Sequence, residues 1–259
     1  RAHGCEVSEL DLSLPVLIDD CLETLRALSA RFPEMDLALV GHSLGGSIAA
    51  RCVRKALGAN LPLRALVLLD AVEGVALEVL PRTEAWLEAR PASFPSVEAA
   101  VKWCRDIGMI QGDHYEAAFE SVQSRLHRVG EAWHWRTDVA AWAAHWREWF
   151  EDLSSIFVAA PLPKMMITGS LDRLDAALEA SHMMGSFKLE VVPHPGHQVH
   201  EDRSPEVARA VIDFLCGVQR QRLAFEKLQL QQQQRGKLDG VSSDAPKRAR
   251  QSGPGAPTS

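Results

Sequence analysis

Apolar positions along the chain switch between two periods. Leu14–Phe32 carries Leu17, Cys21, Leu25 and Leu28 at spacings of three and four, which predicts an amphipathic helix. Leu37–Val40 is a short apolar run suited to a buried strand. From Gly46 to Leu57 the helical period returns: Ile48, Cys52, Val53 and Ala56 share one face, with Arg51, Arg54 and Lys55 elsewhere. Leu63–Val72, Pro163–Ser170 and Phe187–His194 predict three further buried strands. Ser204–Gly217 predicts a helix with Ser204 as N-cap, Pro205 as its first residue and Gly217 closing it. Strands alternating with helices predict an α/β fold, a parallel sheet flanked by helices.

Roughly ninety residues between the second and third strands show no strand signal, far more than an ordinary connection. Their pattern is helical. Trp135, Trp142, Trp146 and Trp149 keep spacings of seven, four and three, which places them on one helix face packing a helical subdomain. A helical cap insertion of about residues 74–160 is expected, where a lid or specificity element would sit beyond the strand ends. Residues 218–259 are expected to be a polar C-terminal extension: a helix continuation, then a disordered Gly/Pro/Ser tail. Within it, Pro246–Arg250 (PKRAR) reads first as a solvated basic patch and second as a nuclear signal.

Composition narrows the function classes. A net charge of −6 gives no reason to expect nucleic-acid binding. No apolar run approaches the about 18 residues of a membrane span. The five cysteines, Cys5, Cys21, Cys52, Cys104 and Cys216, are scattered and form no CxxC pair. They read as small buried hydrophobes kept reduced, which argues for a cytoplasmic or nuclear protein and against a zinc site.

The chemistry begins at Gly41-His42-Ser43-Leu44-Gly45, a G-x-S-x-G pattern set between a predicted strand and a predicted helix. A sharp strand-to-helix turn there exposes the serine hydroxyl as a nucleophile, and Gly41 and Gly45 let the backbone turn where a Cβ would clash. A serine nucleophile needs a histidine base and an acid that fixes the histidine tautomer. The segment Pro193–Asp202 follows the last strand and holds His194, His197 and His200. His197, after Gly196 at the loop tip, is the expected base, and His200 a local hydrogen-bonding group. Asp70 and Asp172 both keep the order Ser, Asp, His. The usual placement in the hydrolase fold favours Asp172, and spacing alone does not decide.

The segments GHSLGGSIA, LLDAVEG, RPASFPSVEAAVKWC, WREWFEDLSSIF, PLPKMMITGSLDRLD and GHQVHED resemble the protein phosphatase methylesterases, of the alpha/beta-hydrolase superfamily. The resemblance runs from Arg1 to about Leu215. It implies an alpha/beta-hydrolase fold, residues 1–217, with Ser43 as nucleophile, His197 as base and Asp70, opening the D-x-V-E-G segment, as acid. Asp172 becomes a neighbouring carboxylate. The backbone N–H of Leu44 is the implied oxyanion donor, and no metal or organic cofactor is required. The implied substrate and partner is the methylated catalytic subunit of type 2A protein phosphatase, demethylated at its C-terminal leucine. Two departures are visible. The acidic stretch of the family's insertion has no counterpart in HRVGEAWHW, and Arg1–Gly4 (RAHG) resembles a segment that in the family follows the first strands and an HGG-type oxyanion loop. Those strands are therefore expected to be missing. A general carboxylesterase and a non-enzymatic binding module stand as the alternatives.

Overall fold

The computed structural model describes residues 11–111, 114–137, 140–193 and 196–242. Arg1–Gly4, Cys5, His194 and Pro246–Arg250 lie outside them. The elements are, in chain order, α1 (Leu14–Arg31), β1 (Leu37–His42), α2 (Leu44–Gly58), β2 (Leu63–Leu69), α3 (Glu73–Glu78), α4 (Leu80–Glu88), β3 (Ser93–Phe94), α5 (Val97–Asp106) and α6 (Tyr115–Ser124). There follow β4 (Leu126–Val129), β5 (Ala132–Trp135), a 3₁₀ turn (Ala140–His145), α7 (Trp146–Phe150), α8 (Leu153–Val158) and β6 (Lys164–Thr168). A second 3₁₀ turn (Leu171–Arg173), α9 (Ala176–Met183), β7 (Lys188–Val191), α10 (Val199–Asp202) and α11 (Ser204–Ser242) complete the order.

The four predicted strands form one sheet in the order β1-β2-β6-β7, all parallel. The side-chain period of two divides β2 between two cores. Leu66 and Leu68 join α1, α2, α7 and α8 on one face, with Leu22, Leu25, Cys52, Val53, Trp149 and Phe157. Val67 and Leu69 join Met165, Ile167, Val199 and Val207 on the other. Burial on both faces explains why the central strands β2 and β6 read as continuous apolar runs rather than alternating ones.

The insertion departs from the helical expectation. It contains a three-stranded antiparallel sheet, β3-β5-β4, packed with α5 and α6 around Phe94, Val101, Cys104, Val122 and Leu126. Val129 pairs with Ala132 across a two-residue turn whose first residue, Gly130, has φ +61°. That is the hairpin geometry of a II′ turn, which wants glycine at this position. The tryptophans do not share one helix. Trp135 lies in β5, Trp142 in the 3₁₀ turn, and Trp146 and Trp149 in α7. Trp149 is 1% exposed and its Nε1–H donates to the Leu12 carbonyl at 2.9 Å, so it belongs to the main core.

Two compact units divide the chain, Arg1–Leu215 and Cys216–Ser259. Gly217 does not close its helix: α11 continues to Ser242. One glycine costs a helix about 1 kcal/mol. The Gln, Arg, Leu, Glu and Lys residues that follow are good helix formers, so nothing near Gly217 stops it. In the second unit Leu223, Phe225, Leu228 and Leu230 are exposed. No helix among the described residues is long and apolar enough to cross a membrane.

Candidate active site

Because β1, β2, β6 and β7 run parallel, the segments that leave them emerge at one edge of the sheet, where open α/β sheets place their ligands. Ser43 follows β1, Asp70 follows β2, Asp172 and Arg173 lie beyond β6, and His197 lies beyond β7. In register, His42 is opposite Leu69, and the Ser43 N–H donates to the Leu69 carbonyl at 3.1 Å. Ser43 and Asp70 therefore leave neighbouring strands side by side.

Ser43 has φ 51° and ψ −120°, a conformation that side-chain-bearing residues rarely adopt, and its hydroxyl does not cap α2. The turn depends on closeness of backbone. A Cβ on Gly41 would lie 2.3 Å from the Gly45 carbonyl oxygen, and one on Gly46 would lie 2.7 Å from the Ala71 Cβ. A Cβ on Gly45 would meet nothing within 4 Å. The tight positions are thus Gly41 and Gly46, not Gly41 and Gly45. Leu44 is the first residue of α2, so its N–H is one of the four that a helix leaves without an internal partner.

The His197 Nδ1–H donates to Asp70 Oδ2 at 2.8 Å. The Asp70 side chain is 5% exposed and that of His197 53% exposed, so the acid is enclosed and the imidazole is open to solvent. Burial alone would raise the Asp70 carboxyl, but the hydrogen bond from His197 and the Arg173 charge outweigh it and hold the group below its ordinary range. Asp172, by contrast, sits in the 3₁₀ turn, exposed, accepting a hydrogen bond from the Ser170 hydroxyl. The carboxylate against His197 is that of Asp70, and the fold-level placement that favoured Asp172 does not hold here.

Two residues that motif reading passed over complete the cluster. Arg173 Nη1 lies 3.0 and 2.9 Å from the two Asp70 oxygens. His42, the variable position of the G-x-S-x-G pattern, donates through Nε2–H to the His197 carbonyl at 2.8 Å. Its ring lies between those of His197 and His200, at 4.5 and 4.4 Å. Burial, reinforced by His197 and His200, lowers the His42 pKa to about 3, so this imidazole stays neutral. His200 is also lowered, chiefly by burial, and lies 3.9 Å from Glu201. Glu201 in turn accepts from Ser121 of α6 at 3.0 Å, joining the insertion to the turn after His197. Among the described residues no cluster of three or more His, Cys, Asp or Glu side chains could hold a metal ion.

Among known proteins, the chain is 36% identical over 233 residues to a probable protein phosphatase methylesterase 1 of Caenorhabditis elegans, covering 88% of this chain and 61% of that protein. It is 34% identical over 218 residues to protein phosphatase methylesterase 1 of Schizosaccharomyces pombe, covering 83% and 63%. The chain thus spans about three-fifths of the length of these relatives. Of solved structures, E-2-(acetamidomethylene)succinate hydrolase superposes with a TM-score of 0.65 at 24% identity, over 83% of this chain and 78% of that one, a likeness of fold. The Alpha/beta hydrolase family model matches residues 1–210, a span that takes in Ser43, Asp70, Arg173 and His197 together, and the chain belongs to that family.

Proposed function

We propose that this protein is a serine carboxylesterase that removes the methyl ester from the C-terminal leucine of the type 2A protein phosphatase catalytic subunit, its partner in methylated form. The observation that carries the hydrolase reading is the 2.8 Å hydrogen bond between His197 and Asp70, on a strand edge shared with the elbow serine Ser43. The substrate rests on similarity to the methylesterases. In this reading residues 1–217 are the hydrolase domain and about 74–160 its cap. Free Cys21, Cys52, Cys104 and Cys216 suit the reducing cytoplasm or nucleus.

In this reading each side chain has a task. With Nδ1–H bound to Asp70, the lone pair of His197 sits on Nε2. That nitrogen takes the Ser43 proton as Oγ attacks the ester carbonyl, and Asp70 stabilises the imidazolium that forms. The oxyanion meets the Leu44 N–H at the start of α2. His197 then protonates the departing methoxide, methanol leaves, and water attacks the acyl-enzyme with His197 again as base. The reaction needs no redox cofactor.

The test is methanol release from a peptide ending in leucine methyl ester, measured beside hydrolysis of an aryl acetate. Turnover of the leucine ester that is lost in S43A is the expected result. Turnover of the aryl ester alone would leave a general esterase, and activity in S43A would remove the serine from the chemistry.

A further inference from the structure

Asp70 serves more than one donor. Its Oδ2 accepts from His197 Nδ1 at 2.8 Å and from Arg173 Nη1 at 2.9 Å, while Oδ1 accepts from Arg173 Nη1 at 3.0 Å and from the Thr168 hydroxyl at 3.4 Å. The same Arg173 nitrogen lies 3.4 Å from the carbonyl of Gly196, the residue before His197. The guanidinium therefore joins the turn after β6, the acid after β2 and the histidine loop after β7. We propose that Arg173 is a positioning residue that sets the protonation range of His197 through the carboxylate they share. The proposal rests on the hydrolase reading of this site.

The physical reason is competition for one charge. In a triad of the ordinary kind, the acid offers a whole negative charge to the imidazolium. Here a permanent cation already faces both oxygens of that carboxylate. When His197 takes a proton, the new positive charge meets a carboxylate already half-neutralised, and a like charge a few ångströms away. Both effects oppose the stabilisation that the carboxylate offers the imidazolium. Among the described residues, the other histidines near the imidazole do not supply this. His42, at 4.5 Å, is held neutral by burial. His200 lies behind His42 at 4.4 Å, beside Glu201, which lies 3.5 Å from Arg125. Arg173 also has a steric part: its bond to the Gly196 carbonyl holds the loop so that the ring meets Asp70 through Nδ1.

The measurement is the titration of the His197 imidazole by NMR in the full chain, its resonance assigned by its loss in H197Q. R173Q removes the charge. Two like charges held by one carboxylate, at an effective dielectric between that of a protein surface and water, lead to an expected rise of about one unit in R173Q. R173K keeps the charge while losing the guanidinium's shape, and is expected to show less than half the rise of R173Q. Should R173Q fail to fold, citrulline at position 173 keeps the shape of arginine without its charge, and the same rise is expected. An unchanged titration in a folded neutral variant overturns the proposal. So does a rise in R173K as large as in R173Q, because shape rather than charge would then be at work. No substrate enters this experiment, so failure of the esterase reading appears separately, as absent ester turnover beside an intact His197 shift.

Discussion

The Nε2–H of His42 donates to the backbone carbonyl of His197 at 2.8 Å, across a sequence separation of 155 residues. The residue that precedes the elbow serine thus holds the loop that carries the imidazole. This bond requires a proton on Nε2, which the neutral Nε2–H tautomer supplies; it is burial that keeps the ring neutral. Its pKa of about 3 has a consequence for stability. In the unfolded chain a histidine titrates near 6.5, so between pH 6.5 and 3 the unfolded state binds the extra proton. Stability then falls as pH falls through that window. Asp70 acts in the same direction further down. Its depressed pKa contributes stability above the unfolded value near 3.9, lost as pH drops through the folded one. The expected loss between pH 7 and pH 4 is about 3 kcal/mol from His42, and H42Q should flatten that part of the urea-unfolding profile. A profile of the same slope in H42Q would assign the dependence to other groups.

Ser43 separates chemistry from conformation. S43A is expected to lower ester turnover by about 10⁴-fold or more, since only oxyanion and binding effects would remain. It should leave thermal stability nearly unchanged, because alanine has the same difficulty with φ 51°. S43G should be equally inactive and more stable by about 1 kcal/mol, as glycine adopts this conformation without strain. An S43G protein no more stable than S43A would show that the elbow stores no strain.

The two aspartates should behave differently. D70N favours the wrong His197 tautomer, which costs about 10⁴-fold in turnover. It also leaves Arg173 facing a neutral amide, with a stability loss of about 2 kcal/mol once its partial exposure is allowed for. D172N changes an exposed group that bonds Ser170 and should stay within threefold of the unmodified activity, about 0.6 kcal/mol. Inactivity in D172N with mild effects in D70N would reverse the assignment made from the geometry.

The parallel sheet was legible because its central strands, β2 and β6, are apolar runs buried on both faces, and its outer strands, β1 and β7, are short runs set between helical patterns. Strand ends were less so. Leu63–Val72 reads as one strand, yet β2 stops at Leu69: Asp70 turns away with φ 45°, and Ala71 and Val72 are apolar because they pack in the core. The hairpin of β4 and β5 was hidden because β4 buries only Leu126, β5 is half-buried throughout, and the two mix charge with tryptophan without clean alternation. Its one local sign was Gly130-Glu131 between short apolar-polar runs. At the site, Ser43 and His197 could be picked out because each follows a strand within a compact motif, whereas Asp70 and Asp172 both follow strands and only the resemblance to the methylesterases chose Asp70. Arg173 and His42 could not be read this way. Arg173 meets Asp70 across 103 residues, and His42 meets His197 across 155, so only the assembled sheet edge makes them neighbours.

The glycines of the elbow provide a test of its packing that needs no substrate. A Cβ at Gly41 would press on backbone atoms, 2.3 Å from the Gly45 oxygen and 2.6 Å from the Gly46 nitrogen, which cannot yield without opening the turn. G41A should therefore be the most damaging, costing about 3 kcal/mol or more. At Gly46 the obstacle is the Ala71 Cβ at 2.7 Å, with the Gly41 oxygen at 3.0 Å, so the cost should be about 1–3 kcal/mol. Part of it should return in the double variant G46A/A71G, which removes the opposing methyl group. At Gly45 nothing lies within 4 Å and φ is not positive, so alanine restricts the unfolded chain without strain in the folded one. G45A should gain about 0.5 kcal/mol. The order of denaturation midpoints is then G45A, unmodified protein, G46A, G41A. A G45A protein as unstable as G46A would mean that the second glycine of the G-x-S-x-G pattern is tightly packed after all, and that the open space beside it is filled in solution.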